Sequence, residues 1–173
     1  LSVSLAHDAV LPHLLKRVRE EAEVSVVEGD DAGLEATKRE GAEIDEEKGT
    51  EAVTFALPGV GLRKLILNTS QMQEKSSACR AIYAHASALG GAFGPFAAEC
   101  TDALLPLVTF KYSADVRSTS AQALAPVFDA ACAGALAGIA PADLPMNALR
   151  STTKSLVQQL ETEDKDDDET VFA

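Results

Sequence analysis

Two amphipathic stretches of this chain begin alike. Lys75-Ser76-Ser77-Ala78-Cys79 aligns with Arg117-Ser118-Thr119-Ser120-Ala121 at an offset of 42 residues. A second echo joins Asp8-Ala9-Val10-Leu11-Pro12 to Asp102-Ala103-Leu104-Leu105-Pro106 at an offset of 94. The first spacing is that of a helical-pair repeat, and the second is about two such repeats plus an insertion. This period leaves few folds open. One helix pair cannot bury its apolar stripe alone, so pairs must stack side by side.

The local pattern agrees with helices. Over 71–89, Cys79, Ile82, Tyr83, Ala86 and Leu89 follow helical spacing. Ser70 and Gln73 suggest a capping box at the start, and Gly90-Gly91 a stop. A second helix over about 94–110 sets Phe96, Ala97, Cys100, Leu104, Leu107 and Val108 on one face. Pro106 should bend or break its last turn. After Lys111-Tyr112-Ser113-Ala114, Ser113 or Asp115 can cap a helix carrying Val116, Leu124, Val127, Phe128 and Ala131. Pro141 to Pro145 punctuates again before a last helix over about 146–160. Apolar residues make up 46% of the chain and aromatic ones only 5%. Alanine and leucine supply the core, which favours close helix-on-helix packing.

The expected fold is therefore all-α: an α-α superhelix, a HEAT-repeat solenoid of ARM-like type, with an acidic loop and a short hairpin-like insertion. Residues 1–19 read as the second helix of a repeat, 20–51 as an acidic mobile loop and 52–70 as an extended or hairpin insertion. Two repeats follow at 71–111 and 112–161, then an acidic linker and the start of the next repeat at 162–173. The hairpin rests on Val53, Phe55 and Leu57 alternating with small residues ahead of Pro58-Gly59-Val60-Gly61. A helix already running at residue 1 reads as an excerpt from a longer protein. Such an excerpt should leave Leu11, Leu14 and Leu15 without an outer neighbour and be only modestly stable.

Charge is unevenly placed. The chain carries a net −12. Residues 20–51 hold 13 acidic and 3 basic residues, and 161–169 hold 7 acidic and 1 basic, which leaves +4 for the rest. Acid of this density repels nucleic acid phosphates and anionic membranes and attracts basic partners. Glu28, Asp30, Asp31, Glu43, Asp45, Glu46 and Glu47 are the candidate partner-binding residues.

Other chemistry finds no support in the motifs. Cys79, Cys100 and Cys132 are odd in number, widely spaced and set in apolar helices, so they read as buried core residues. His7, His13 and His85 are isolated. The acidic runs lack the calcium-loop pattern, and the Gly-Pro turn lacks a phosphate-loop ending. Ser76, Ser77, Ser118 and Ser120 have no His and acid at a hydrolase spacing. No catalytic residue, metal site or cofactor is expected, and the chain reads as a binding scaffold, not an enzyme. Lys16, Arg17 and Arg19 close a helix, where cations offset its dipole or meet a partner. No apolar run is long enough to span a membrane, and Leu1–His7 do not read as a signal peptide.

Longer strings carry a resemblance. Glu74-Lys75-Ser76-Ser77-Ala78-Cys79, Phe93-Gly94-Pro95-Phe96, Leu104-Leu105-Pro106-Leu107-Val108-Thr109-Phe110-Lys111-Tyr112 and Asp115-Val116-Arg117-Ser118-Thr119-Ser120-Ala121 resemble the importin-β (karyopherin-β) family, most of all its importin beta-3 (importin 5) branch. The match is strongest over about 70–133. The family's acidic-Trp signature is missing, since the chain has no Trp. The resemblance implies a nuclear transport receptor, shuttling between cytoplasm and nucleus through the pore. It implies basic cargo proteins, the GTPase Ran and nucleoporin FG repeats as partners, with no direct nucleic acid binding and no membrane insertion. The alternative is a structural HEAT scaffold of a phosphatase or chromosome-associated complex.

Overall fold

A computed structural model describes residues 2–28, 42–45, 49–57 and 61–162. The elements are α1 (Ser2–Arg19), β1 (Val24–Glu28), β2 (Ala42–Asp45), β3 (Thr50–Leu57), β4 (Gly61–Asn68), α2 (Thr69–Leu89), α3 (Gly94–Val108), α4 (Ala114–Leu136) and α5 (Leu144–Thr162). A 3-10 turn at Gly90–Phe93 joins α2 to α3. The chain divides into two compact units, a helical one (Leu1–Glu20 with Glu74–Ala173) and one spanning Glu21–Gln73.

The helical unit follows the apolar period. Cys79, Ile82 and Ala86 of α2 are buried, as are Ala97, Cys100, Leu104, Leu107 and Val108 of α3 and Val116, Leu124, Val127 and Ala131 of α4. Tyr83, expected on the core face of α2, is exposed. Gly90 stops α2 in the left-handed region, at φ 51°. α3 ends two residues past Pro106, whose ring removes a backbone donor from the last turn. Ser113 caps α4, its Oγ accepting from Val116 N at 3.3 Å. Gly138, at φ 71°, closes α4 in a Schellman motif: its own N–H bonds Ala135 O at 3.1 Å and Ile139 N–H bonds Gly134 O at 2.9 Å.

Small residues set the distance between α3 and α4. A Cβ added at Gly94 would lie 2.8 Å from Gly134 Cα, and one at Gly134 would lie 2.8 Å from Gly94 Cα. Ala130, Ala133 and Ala140 line the same crossing. The alanine-rich stretch of α4 thus lets two backbones touch, and the packing gains dispersion contacts in place of long side chains.

The open apolar face is not where the sequence suggested. Leu11 and Leu15 of α1 are buried and Leu14 is half-buried, because α1 packs against α3. α5 instead turns its small and polar stripe inward: Ala148 and Gln159 are buried, with Thr152 and Ser155 half-buried between them. Beside that stripe Met146, Leu149, Leu156, Val157 and Leu160 stay exposed.

The second unit corrects the reading of 20–51 as a loop. Val24–Glu28 and Ala42–Asp45 are strands of a four-stranded antiparallel sheet, in the order β1-β4-β3-β2. β3 and β4 form the expected hairpin, from Thr50 opposite Asn68 to Leu57 opposite Gly61. Residues 58–60 of its turn lie outside the described residues. β1 runs against β4, with Val24 opposite Leu67 and Glu28 opposite Arg63. Val24, Val26 and Val27 are strong strand formers, and Ala42 and Ile44 alternate with Glu43 and Asp45. Charge hid this pattern, yet charges are common on edge strands, where they discourage further pairing. β4 also moves the start of α2. Asn68 Oδ1, not Ser70, caps the helix, accepting from Gln71 N at 3.0 Å. Of the expected linker at 162–173, Thr162 is the last residue of α5, and 163–173 lie outside the described residues.

Candidate functional site

The candidate acidic residues belong to Glu21–Gln73. Glu28 ends β1, while Glu43 and Asp45 stand on β2, opposite Ala52 and Thr50 of β3. β1 and β2 are the two outer strands of the described sheet. Three interstrand spacings separate them, about 14 Å. The fold therefore brings Glu43 and Asp45 together on one strand and keeps Glu28 apart from both. Asp30, Asp31, Glu46 and Glu47 lie outside the described residues.

A polar seam runs through the same unit. Glu23 N donates to Gln71 Oε1 at 2.8 Å, and Gln71 Nε2 donates to Glu21 O at 2.8 Å. Asn68 Nδ2 donates to Glu23 Oε2 at 3.1 Å. Asn68, which in sequence only begins a chance N-glycosylation triplet with Thr69 and Ser70, thus serves both this seam and the α2 cap.

The basic cluster at the end of α1 is engaged within the helical unit. Arg17 meets Glu74 at 2.9 Å and Glu20 at 3.2 Å, and Arg19 meets Glu99 of α3 at 3.1 Å. Arg80 of α2 meets Asp115 at the start of α4 at 2.7 Å. These pairs are exposed, so each contributes little by itself. Arg17–Glu74 links α1 to α2, Arg19–Glu99 links α1 to α3 and Arg80–Asp115 links α2 to α4, and Asp115 also suits the positive end of α4. Sequence reasoning missed Lys75. It lies on the core stripe of α2, 1% exposed, with its ammonium at the C-terminus of α1. Burial pushes its pKa below 10.5, while Glu20 and Cys79 pull it back up. A lysine at the stripe position four residues before Cys79 and seven before Ile82 was the available signal.

Among the described residues no cluster of three His, Cys, Asp or Glu can hold a metal, and no helix is long and apolar enough to cross a membrane. Cys79 and Cys100 are fully buried and Cys132 is half-buried. Burial raises the Cys79 thiol to about 11 and that of Cys100 to about 12. The thiolate is the reactive form, so a raised pKa combined with burial makes both inert. In native protein at pH 8, a thiol reagent should modify Cys132 alone, with Cys79 and Cys100 reacting only after denaturant is added. Mass spectrometry of the labelled peptides checks this. Rapid native labelling of Cys79 or Cys100 would show that the α2–α3–α4 core opens readily.

The geometry describes a scaffold of helix pairs with a sheet insertion, and known structures contain this class of fold. The chain matches no family model, and no curated protein matches it in sequence. Among solved structures, Kap121p bound to RanGTP is similar to it with a TM-score of 0.70 and 19% identity, over 93% of this chain. Kap121p bound to Nup53p gives 0.67 and 20%, also over 93%. The karyopherin Kap121p bound to the extreme C-terminus of the protein phosphatase Cdc14p gives 0.68 and 18%, again over 93%. The chain spans 14% of the length of each of these neighbours. At these identities the likeness is one of fold: an importin-β-like, HEAT-type helical solenoid.

Proposed function

We propose that this chain is part of a nuclear transport receptor of the importin-β type. It carries protein cargo into the nucleus, binds Ran and nucleoporins, and shuttles between cytoplasm and nucleus. The observation that carries this reading is the likeness to Kap121p over 93% of the chain, with neighbours solved in complex with RanGTP, Nup53p and a phosphatase C-terminus. The sequence strings at 74–79, 93–96 and 104–121 favour the same family and its importin beta-3 branch. Scaffolds of this kind work by presenting surface, not by chemistry. The acidic residues Glu28, Asp30, Asp31, Glu43, Asp45, Glu46 and Glu47 are proposed to act on basic cargo. Nucleoporin FG repeats would meet apolar surface elsewhere on the receptor.

The test is a pull-down of the full-length protein with Ran loaded with GTP or with GDP. Retention of Ran-GTP, little retention of Ran-GDP, and release of a bound lysine-rich import peptide by Ran-GTP are expected. Indifference to the nucleotide would favour a structural scaffold instead.

A further inference from the structure

Lys75 is among the largest fully buried side chains of the described residues. Its Nζ donates to Val18 O at 3.0 Å, to Arg17 O at 3.2 Å and to Glu20 O. These carbonyls belong to the end of α1, where backbone acceptors run out of partners within the helix. An ammonium has three donors, and here all three are used. A buried cation requires this, since burial without partners carries a large free-energy penalty. The negative end of the α1 dipole strengthens the arrangement.

The position of these groups in the chain gives the contact its meaning. Glu20 is the last residue of the helical unit before the chain departs, and Glu74 is the first after it returns. Lys75 bonds the carbonyl of the first, and Arg17 forms an ion pair with the side chain of the second at 2.9 Å. Both contacts lie inside the helical unit. Closing a long intervening stretch carries an entropic penalty unless its ends are held by other contacts.

We propose that Lys75 is a built-in latch: its ammonium caps α1 and ties the chain's exit point to its re-entry point. The helical unit then keeps its packing whether or not Glu21–Gln73 is folded or engaged with a partner. The insertion is thus a module that can change state, or be lost, without unravelling the repeats on either side.

The latch is testable in the full chain by hydrogen exchange. Lys75→Met keeps an apolar stem and removes every donor, while Lys75→Gln retains two. The Met variant should speed exchange of amides 14–20 by about tenfold or more, by local opening. Amides 119–131 of α4 should change by less than about threefold. Gln should fall between Met and the native residue. If Met prevents folding, the Gln variant decides by the same comparison. A second variant joins Glu21 to Asn68 through Gly-Ser-Gly, which removes the sheet and keeps the cap and first turn of α2. It should keep its helical circular dichroism and its slow exchange over 14–20, and lose the slow exchange once Lys75→Met is added. Native exchange over 14–20 in Lys75→Met would overturn the proposal. So would an equal acceleration in α1 and α4, which would make Lys75 an ordinary core residue. Loss of helical structure on excision with Lys75 intact would overturn it as well.

Discussion

Replacing Gly134 with alanine is expected to lower the stability of the helical unit by about 2 kcal/mol, and replacing it with leucine by about 3 kcal/mol or more. The reason is steric and lies in the backbone. A Cβ at this position meets Gly94 Cα at 2.8 Å, Ala140 Cβ at 3.2 Å and Gly91 O at 3.3 Å. No side-chain rotation can relieve a clash with a neighbouring Cα, so α3 and α4 must separate. Separation loosens Phe93, Leu104 and Val127, all buried in the same unit, and the loss spreads through a core packed as densely as a crystal. Gly138→Ala is the comparison. A Cβ there meets nothing within 4 Å, yet φ is 71°, so only the left-handed conformation is penalised, by about 1 kcal/mol. Urea unfolding followed by circular dichroism should rank the midpoints native, Gly138→Ala, Gly134→Ala, Gly134→Leu. A Gly134→Leu midpoint equal to the native one would falsify the close crossing.

That crossing was half legible in the sequence. The run Ala130-Ala131-Cys132-Ala133-Gly134 announces a helix face without bulk, and the 42-residue offset announces stacked pairs. Which glycine meets which is a long-range fact that no local period contains. The same limit explains the sheet. The β3–β4 hairpin was legible because its strands adjoin in sequence and alternate visibly. β1 pairs with residues some 40 positions later, and its valines sit among acids that pulled the reading toward a solvated loop. Lys75 was hidden by a general rule. Lysine is almost never fully buried unless paired, and its partners here are backbone carbonyls, which have no sequence signature. α5 shows the converse case. Its period and position were legible, but which stripe faces inward depends on the neighbours present. Met146, Leu149, Leu156, Val157 and Leu160 would have been chosen as core by hydrophobicity alone, whereas Ala148, Thr152, Ser155 and Gln159 are the buried and half-buried residues of a helix that packs on α3 and α4.

The acidic segment should act on a basic partner mainly through its summed field. Two of the seven candidate residues stand together on β2, and Glu28 stands at the far edge of the sheet, about 14 Å away at ordinary strand spacing. The three described carboxylate positions, Glu28, Glu43 and Asp45, do not converge on one cation. The acidic segment raises the local concentration of any lysine-rich segment passing within a Debye length, about 8–10 Å at physiological salt. Changing Glu28, Glu43, Glu46 and Glu47 to Gln, and Asp30, Asp31 and Asp45 to Asn, removes seven negative charges while keeping side-chain size. This variant is preferable to deletion, because a deletion over 28–49 would remove β2 and expose β3. At low ionic strength the neutralised full-length protein should bind a basic import peptide about tenfold more slowly, the lower end of the usual range for electrostatic steering. Dissociation should change little, since a long-range field alters encounter more than the final contacts. The two association rates should converge as salt rises and the field is screened. Stopped-flow fluorescence across a salt series, with circular dichroism to verify the fold, reads both effects. A purely structural insertion would give equal association rates at low salt. Direct contacts between these carboxylates and cargo would instead show as a faster off-rate that persists at high salt.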